Sequence, residues 1–128
     1  MDAPSFENLD LACAGVGKRI TETSGERKEL EKLITNALAV LEEQGLYALF
    51  LFLKAQDSGM ANGIRKKLLS FLEKTPRQAS LLPPNADDAD LHNITDLDNL
   101  LLARDLVRQS LVYARYHARV PKKNEVQT

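Results

Sequence analysis

One stretch constrains this chain more than any other: Glu43-Gln44-Gly45, followed by Leu46-Tyr47-Ala48-Leu49-Phe50-Leu51-Phe52-Leu53 and then Lys54-Ala55. Glycine readily takes the positive φ that closes a helix. The apolar run beyond it has no polar face, and a helix that is hydrophobic all round must be buried. The segment is therefore expected to organise a helical core, and it is a poor place for a solvent-facing active site. A helix-turn-helix reading of Gly45 fails on the same ground, because nothing from Leu46 to Leu53 can hydrogen-bond a base edge.

Around this segment the spacing predicts an all-α chain of about five helices in a single domain over residues 1–128. Phe6, Leu9, Cys13, Val16 and Ile20 recur at steps of three and four, so a first helix is expected over 5–21 with Ser5 as its cap; Gly15 and Gly17 weaken it. Thr23-Ser24-Gly25-Glu26 has the capping-box spacing and should open a second helix, with Leu30, Leu33, Ile34, Ala37, Leu38 and Leu41 on its inner stripe. The third helix runs from Leu46 to about Gln56. A fourth, about 61–74, turns Ile64, Leu68, Phe71 and Leu72 inward and stops before Thr75-Pro76, because proline disfavours helix in its predecessor. Residues 76–94 read as a long, mobile acidic loop, with Leu81 and Leu82 touching the core. Thr95 with Asp98 repeats the cap pattern, and a last helix is expected over 96–119, halted by Pro121 and followed by a flexible tail over 121–128.

The chain has 128 residues, 44% hydrophobic and 27% charged, which suits one core in one globular domain and argues against disorder. Its longest apolar run is the eight residues Leu46 to Leu53, too short for a membrane span, and the acidic start Met1-Asp2 does not resemble a secretory leader. A single cysteine, Cys13, cannot form an internal disulfide and fits a reducing compartment. The cytoplasm is the expected location, and no membrane partner is expected.

A net charge of −1 conceals segregation. From Lys54 to Arg77 there are six bases (Lys54, Arg65, Lys66, Lys67, Lys74, Arg77) against two acids, and from Leu106 to Asn124 five bases and no acid. The acids concentrate between Asp87 and Asp105. On a helical wheel Arg104, Arg108, Arg115 and Arg119 fall within about 60° of one another, forming a stripe of planar, permanently charged forks suited to phosphate oxygens. Two readings stand. Basic residues near a helix C-terminus and acids near its start complement the macrodipole, which explains part of the pattern without any ligand. The alternative is a surface for phosphate or for an acidic partner, and Leu97 and Leu111, close to the same line, make it a partly buried one.

No convergent catalytic set is visible. Cys13 lies on an apolar stripe, where a small buried hydrophobe is the plain reading, and His117 reads as a surface histidine in a basic stretch. Asp88, Asp90, His92, Ile94, Asp96 and Asn99 occupy calcium-ligand places of an EF-hand, but Asn93 stands where glycine is needed and Asn99 where a bidentate carboxylate is needed. Glycine-rich phosphate loops, paired-cysteine zinc motifs and nucleophile elbows are absent from the sequence. No cofactor, no metal and no enzymatic activity are expected.

The order of elements resembles the small all-helical subunit of type III-B (Cmr) CRISPR effector complexes. The residues carrying the likeness are Leu11-Ala12 to Val16, Ile34 through Gly45-Leu46, the apolar Ala48 to Lys54, and the closing Leu101-Leu102-Ala103-Arg104 to Tyr113-Ala114-Arg115-Tyr116-His117-Ala118. The likeness spans most of the chain outside 76–94. It implies a non-catalytic structural role in RNA-guided antiviral defence: copies stack along a ribonucleoprotein beside other effector subunits and help hold guide and target RNA. Lys54, Arg65, Lys66, Lys67, Arg104, Arg108, Arg115 and Arg119 would then be the RNA-binding candidates. The competing expectation is a protein-only helical adaptor or self-associating scaffold, in which the arginine stripe meets an acidic partner such as the loop of another copy.

Overall fold

A computed structural model of the chain describes residues 8–22, 26–75, 81–83, 87, 91, 94 and 96–120. These form five helices: α1 (Leu9–Ile20), α2 (Arg27–Gln44), α3 (Leu46–Gln56), α4 (Gly59–Lys74) and α5 (Leu97–Arg119). Among the described residues there is no strand. The fold is a compact all-α single domain, as the periodicity predicts.

Local chemistry explains most boundaries. The sequence places the first start at residue 5, but α1 begins at Leu9 because Asn8 Oδ1 accepts the backbone N–H of Leu11 at 3.0 Å. Ser5, Phe6, the Thr23-Ser24-Gly25 part of the capping box and the Thr95 cap lie outside the described residues. Glu26 stands at the N-cap of α2 without a side-chain bond to it, and Asp96, whose side chain accepts from Asp98 N, caps α5. Gly45 joins α2 to α3 as a single residue at φ +100°, its N–H donating to Leu41 O and its carbonyl accepting from Leu49 N. Asp57, at φ 48°, ends α3, and Ser58 opens α4 by accepting from Ala61 N at 3.1 Å. Thr75, before Pro76, leaves α4 in an extended conformation as the proline rule requires.

The core is continuous across all five helices. Cys13, Val16 and Ile20 from α1, Ile34 and Leu41 from α2, Leu49, Phe50 and Leu53 from α3, Ile64, Leu68 and Leu72 from α4, and Val107, Leu111 and Ala114 from α5 are all essentially inaccessible. The expected inner stripes of α2 and α4 are the observed ones, with Leu33 only partly buried. Burial of α3 is less complete than its composition predicts. Leu46, Leu49, Phe50 and Leu53 are buried, Tyr47, Ala48 and Phe52 are half-buried, and Leu51 is 44% exposed. The reason is architectural: α3 packs mainly between α2 and α4, which leaves one flank open.

The acidic connection touches the core at four of its described residues. The Leu81 and Leu82 N–H groups both donate to Leu72 O, Leu82 and Leu91 join the core, and Ile94 packs against it. Those four positions touch the core, Pro83 and Asp87 are exposed, and the rest of the mobile loop expected over 76–94 lies outside the described residues. Leu81 and Leu82 were legible as core contacts, whereas Leu91 is isolated among acids and carries no periodicity.

Candidate nucleic-acid interface

α5 is the longest helix, about 35 Å, and it packs on α1 along one face and on α2 along another. The α1 seam is built from small residues. Gly17 lies so close to α5 that a Cβ there would come within 2.7 Å of Ala114 N and of Tyr113 Cβ, and within 2.9 Å of Ser110 O. Its role is close approach, which corrects the reading of Gly17 as a mere weakness in α1. Along the same seam the Cys13 thiol donates to Leu106 O at 3.5 Å, Ser110 Oγ donates to the same carbonyl at 2.8 Å, and Tyr113 OH donates to Asp10. Burial pushes the Cys13 thiol up to about 11, so it is an inert thiol at neutral pH. The Asp10 hydrogen bond raises the Tyr113 hydroxyl above its ordinary value.

The α2 seam collects the arginines. Arg104 Nη2 donates to Glu42 O at 3.2 Å and to Leu41 O at 3.5 Å, and lies 3.8 Å from Glu42 Oε2. It thus satisfies the Glu42 carbonyl, which the Gly45 break leaves without a helical donor, and adds a second donor to Leu41 O, already bonded to Gly45 N–H. Arg108 pairs with Asp105 at 2.8 Å, which raises its pKa, and reaches Glu42 Oε1 at 3.8 Å. Arg119 Nε pairs with Glu31 Oε1 at 2.6 Å, and beyond it Arg27 Nη1 donates to Val120 O. Three members of the expected phosphate stripe are thereby engaged by the protein itself. Glu31 and Glu42 look like any other exposed acid in the sequence, and only the antiparallel register of α2 on α5 singles them out.

Arg115 is the exception. It has no hydrogen-bond or ion-pair partner among the described residues. It lines an open groove of about 330 Å³ between α2 and α5, shared with Thr35, Leu38, Ala39, Glu42, Arg108 and Val112.

The remaining candidates lie on the other side of the chain's order. Lys54 sits in the last turn of α3, and Arg65, Lys66 and Lys67 sit in the middle of α4. Successive residues on a helix are about 100° apart, so the last three splay around α4 and do not form one row. Lys54 and Lys66 are exposed, Arg65 and Lys67 half-buried. Lys54, Lys66 and Lys67 have no partner among the described residues. The structure therefore brings Arg104, Arg108, Arg115 and Arg119 onto one seam and leaves the lysines apart from it.

Compared with known proteins, the chain matches no protein-family model, no curated protein and no solved structure. The described residues contain no group of three or more histidine, cysteine or acidic side chains placed to hold a metal ion. Asp88, Asp90, His92 and Asn93 of the EF-hand-like spacing lie outside the described residues, as do Arg77, Lys122 and Lys123. Among the described residues no helix is long and apolar enough to cross a membrane.

Proposed function

We propose that this chain is a non-catalytic structural subunit of a type III-B CRISPR effector ribonucleoprotein in the cytoplasm, present in stacked copies and helping to hold guide and target RNA. The observation that carries the reading is the division among its cations. The α5 arginines Arg104, Arg108 and Arg119 are engaged by Glu42 and Glu31 of α2 and by Asp105 of α5 itself, while Lys54, Lys66, Lys67 and Arg115 keep their charge free of any described acid. Unpaired cations on a rigid scaffold can neutralise phosphates and release the counterions condensed on them. The helical order supports the same reading through its likeness to the small Cmr subunit, with the glycine break before an apolar third helix as the shared feature.

The test is RNA retention by the assembled complex. Lys54→Glu/Lys66→Glu/Lys67→Glu should weaken retention and flatten its dependence on salt, each lost phosphate contact removing about 0.7–0.9 from the slope of log affinity against log salt concentration. Arg115→Glu should act in the same direction. Arg104 and Arg108 variants report instead on the α2–α5 seam. Retention that is unchanged and insensitive to salt in the triple lysine variant overturns the reading.

The protein-only adaptor stays in view because α5 exposes Leu97 and Leu101, 65% and 51% accessible, at its acidic end. Purification separates the two. A nuclease-protected RNA of guide length accompanying the chain supports the ribonucleoprotein, and a stoichiometric protein complex free of RNA supports the adaptor.

A further inference from the structure

Among the described residues, α2 ends before it reaches the first turn of α5. Val120 meets Arg27 at one end of the pair, and Arg104 meets Glu42 at the other. α2 then stops at Gln44, and Gly45 sends the chain into α3. The α2-facing line of α5 continues past that point as Leu97, Leu100 and Leu101, which lie within about 100° of one another on the line of Arg104. There they are 65%, 36% and 51% exposed. Adjacent leucines held in water by a rigid helix mark an interaction site more often than a neutral surface.

The opposite end of α5 has a matching patch. Tyr116 and Val120, an i, i+4 pair, are 59% and 58% exposed beside the unpaired Arg115. The charges at the two ends are opposite. Asp96 and Asp98 flank the leucines, while Arg115, without a partner among the described residues, stands next to the tyrosine. Two leucine turns placed face to face would bring four aspartates together, whereas leucine turn against tyrosine end pairs acid with base.

We propose that the two ends of α5 are complementary halves of one self-association contact, the Leu97–Leu101 turn of one copy seating on the Tyr116–Val120 end of the next. Because the halves differ, the contact is heterologous, so each added copy offers a free half to the next and copies add in a row or a ring instead of stopping at a two-fold dimer. This deepens the stacked-copy element of the proposed function and rests on it only for the expectation that copies meet.

Sedimentation velocity of the isolated full chain, without RNA, tests it from micromolar to millimolar concentration. The mass should grow past a dimer as concentration rises, and less so at high salt. Leu97→Ser/Leu101→Ser should be monomeric, and so should Tyr116→Ser/Val120→Ser. An equimolar mixture of the two should give a dimer and nothing larger, since one intact pair of halves survives. The substituted side chains are exposed, and Arg115→Glu provides a second tail-side probe, expected to weaken association, that leaves the apolar contacts in place. A wild-type chain monomeric throughout, a Tyr116/Val120 variant that associates like wild type, or a mixture that stays monomeric overturns the proposal. The leucine and tyrosine–valine variants leave the lysines and Arg115 in place, so failure of association in them is distinguishable from failure of the RNA-holding reading.

Discussion

The two seams of α5 differ in kind. Toward α1 the contact is made by small side chains at close range, with Gly17 against the backbone of Ser110 and Ala114. Toward α2 it includes long charged side chains, with Arg104 and Arg108 reaching Glu42 and Arg119 reaching Glu31 beside a groove. Close packing tolerates almost no added volume, because neither backbone can give way. A half-exposed ion pair tolerates much more, because water replaces what is lost. One helix thus anchors the fold on one side and presents adjustable charge on the other.

The strongest way to break this contrast is Gly17→Ala, expected to lose about 2–3 kcal/mol in a denaturant titration, since the new methyl lies inside van der Waals distance of α5 backbone. Gly15→Ala on the same helix is its control. The nearest outside atom there is the flexible Arg19 Nη1 at 3.7 Å, so the substitution should be neutral or stabilise by up to about 1 kcal/mol through helix propensity.

Alkaline pH probes the same seam. The Cys13 thiol is raised in the folded state to about 11 from an ordinary 9.0, so folding favours the protonated form. Its contribution is complete below pH 9 and is lost as pH rises through about 11, because the unfolded chain ionises first. Stability should fall across that window by an amount on the order of 2 kcal/mol, and the fall should be shallower in Cys13→Ala when both proteins are melted at about pH 8 to 11.

Gly45→Ala tests the joint between α2 and α3. No atom lies within 4 Å of a Cβ built there, so any loss reflects the φ of +100° alone, about 1–2 kcal/mol in thermal or chemical melts. The smallest effect is expected from the charged seam. A double-mutant cycle of Arg119→Ala with Glu31→Ala should give a coupling below about 1 kcal/mol that shrinks with added salt, since both side chains remain substantially in water. A coupling several times larger would abolish the distinction between the seams.

Much of this contrast is invisible in the sequence. The arginine stripe is legible because all four residues share one helix, and about 100° per residue suffices to align them. That three of them meet acids depends on α2 lying antiparallel to α5, a relation between segments far apart in the chain. Gly17 reads as a helix weakness for the same reason: its neighbours Ser110 and Ala114 are nearly a hundred residues away. The overhanging Leu97, Leu100 and Leu101 look like core positions on a wheel, and become surface only because α2 ends before reaching them.

By itself the sequence determined what short-range physics controls: five helices, the glycine joint at Gly45, the stop before Pro76, the inward stripes of α2 and α4, and the single domain. Those depend on periodicity, caps and backbone restriction within a few residues. Only the tertiary structure decided which face of α5 is occupied, which arginines are consumed, and which leucines and lysines stay in water. Side-chain fate along a helix is set by what packs opposite it, and local spacing carries no information about that partner.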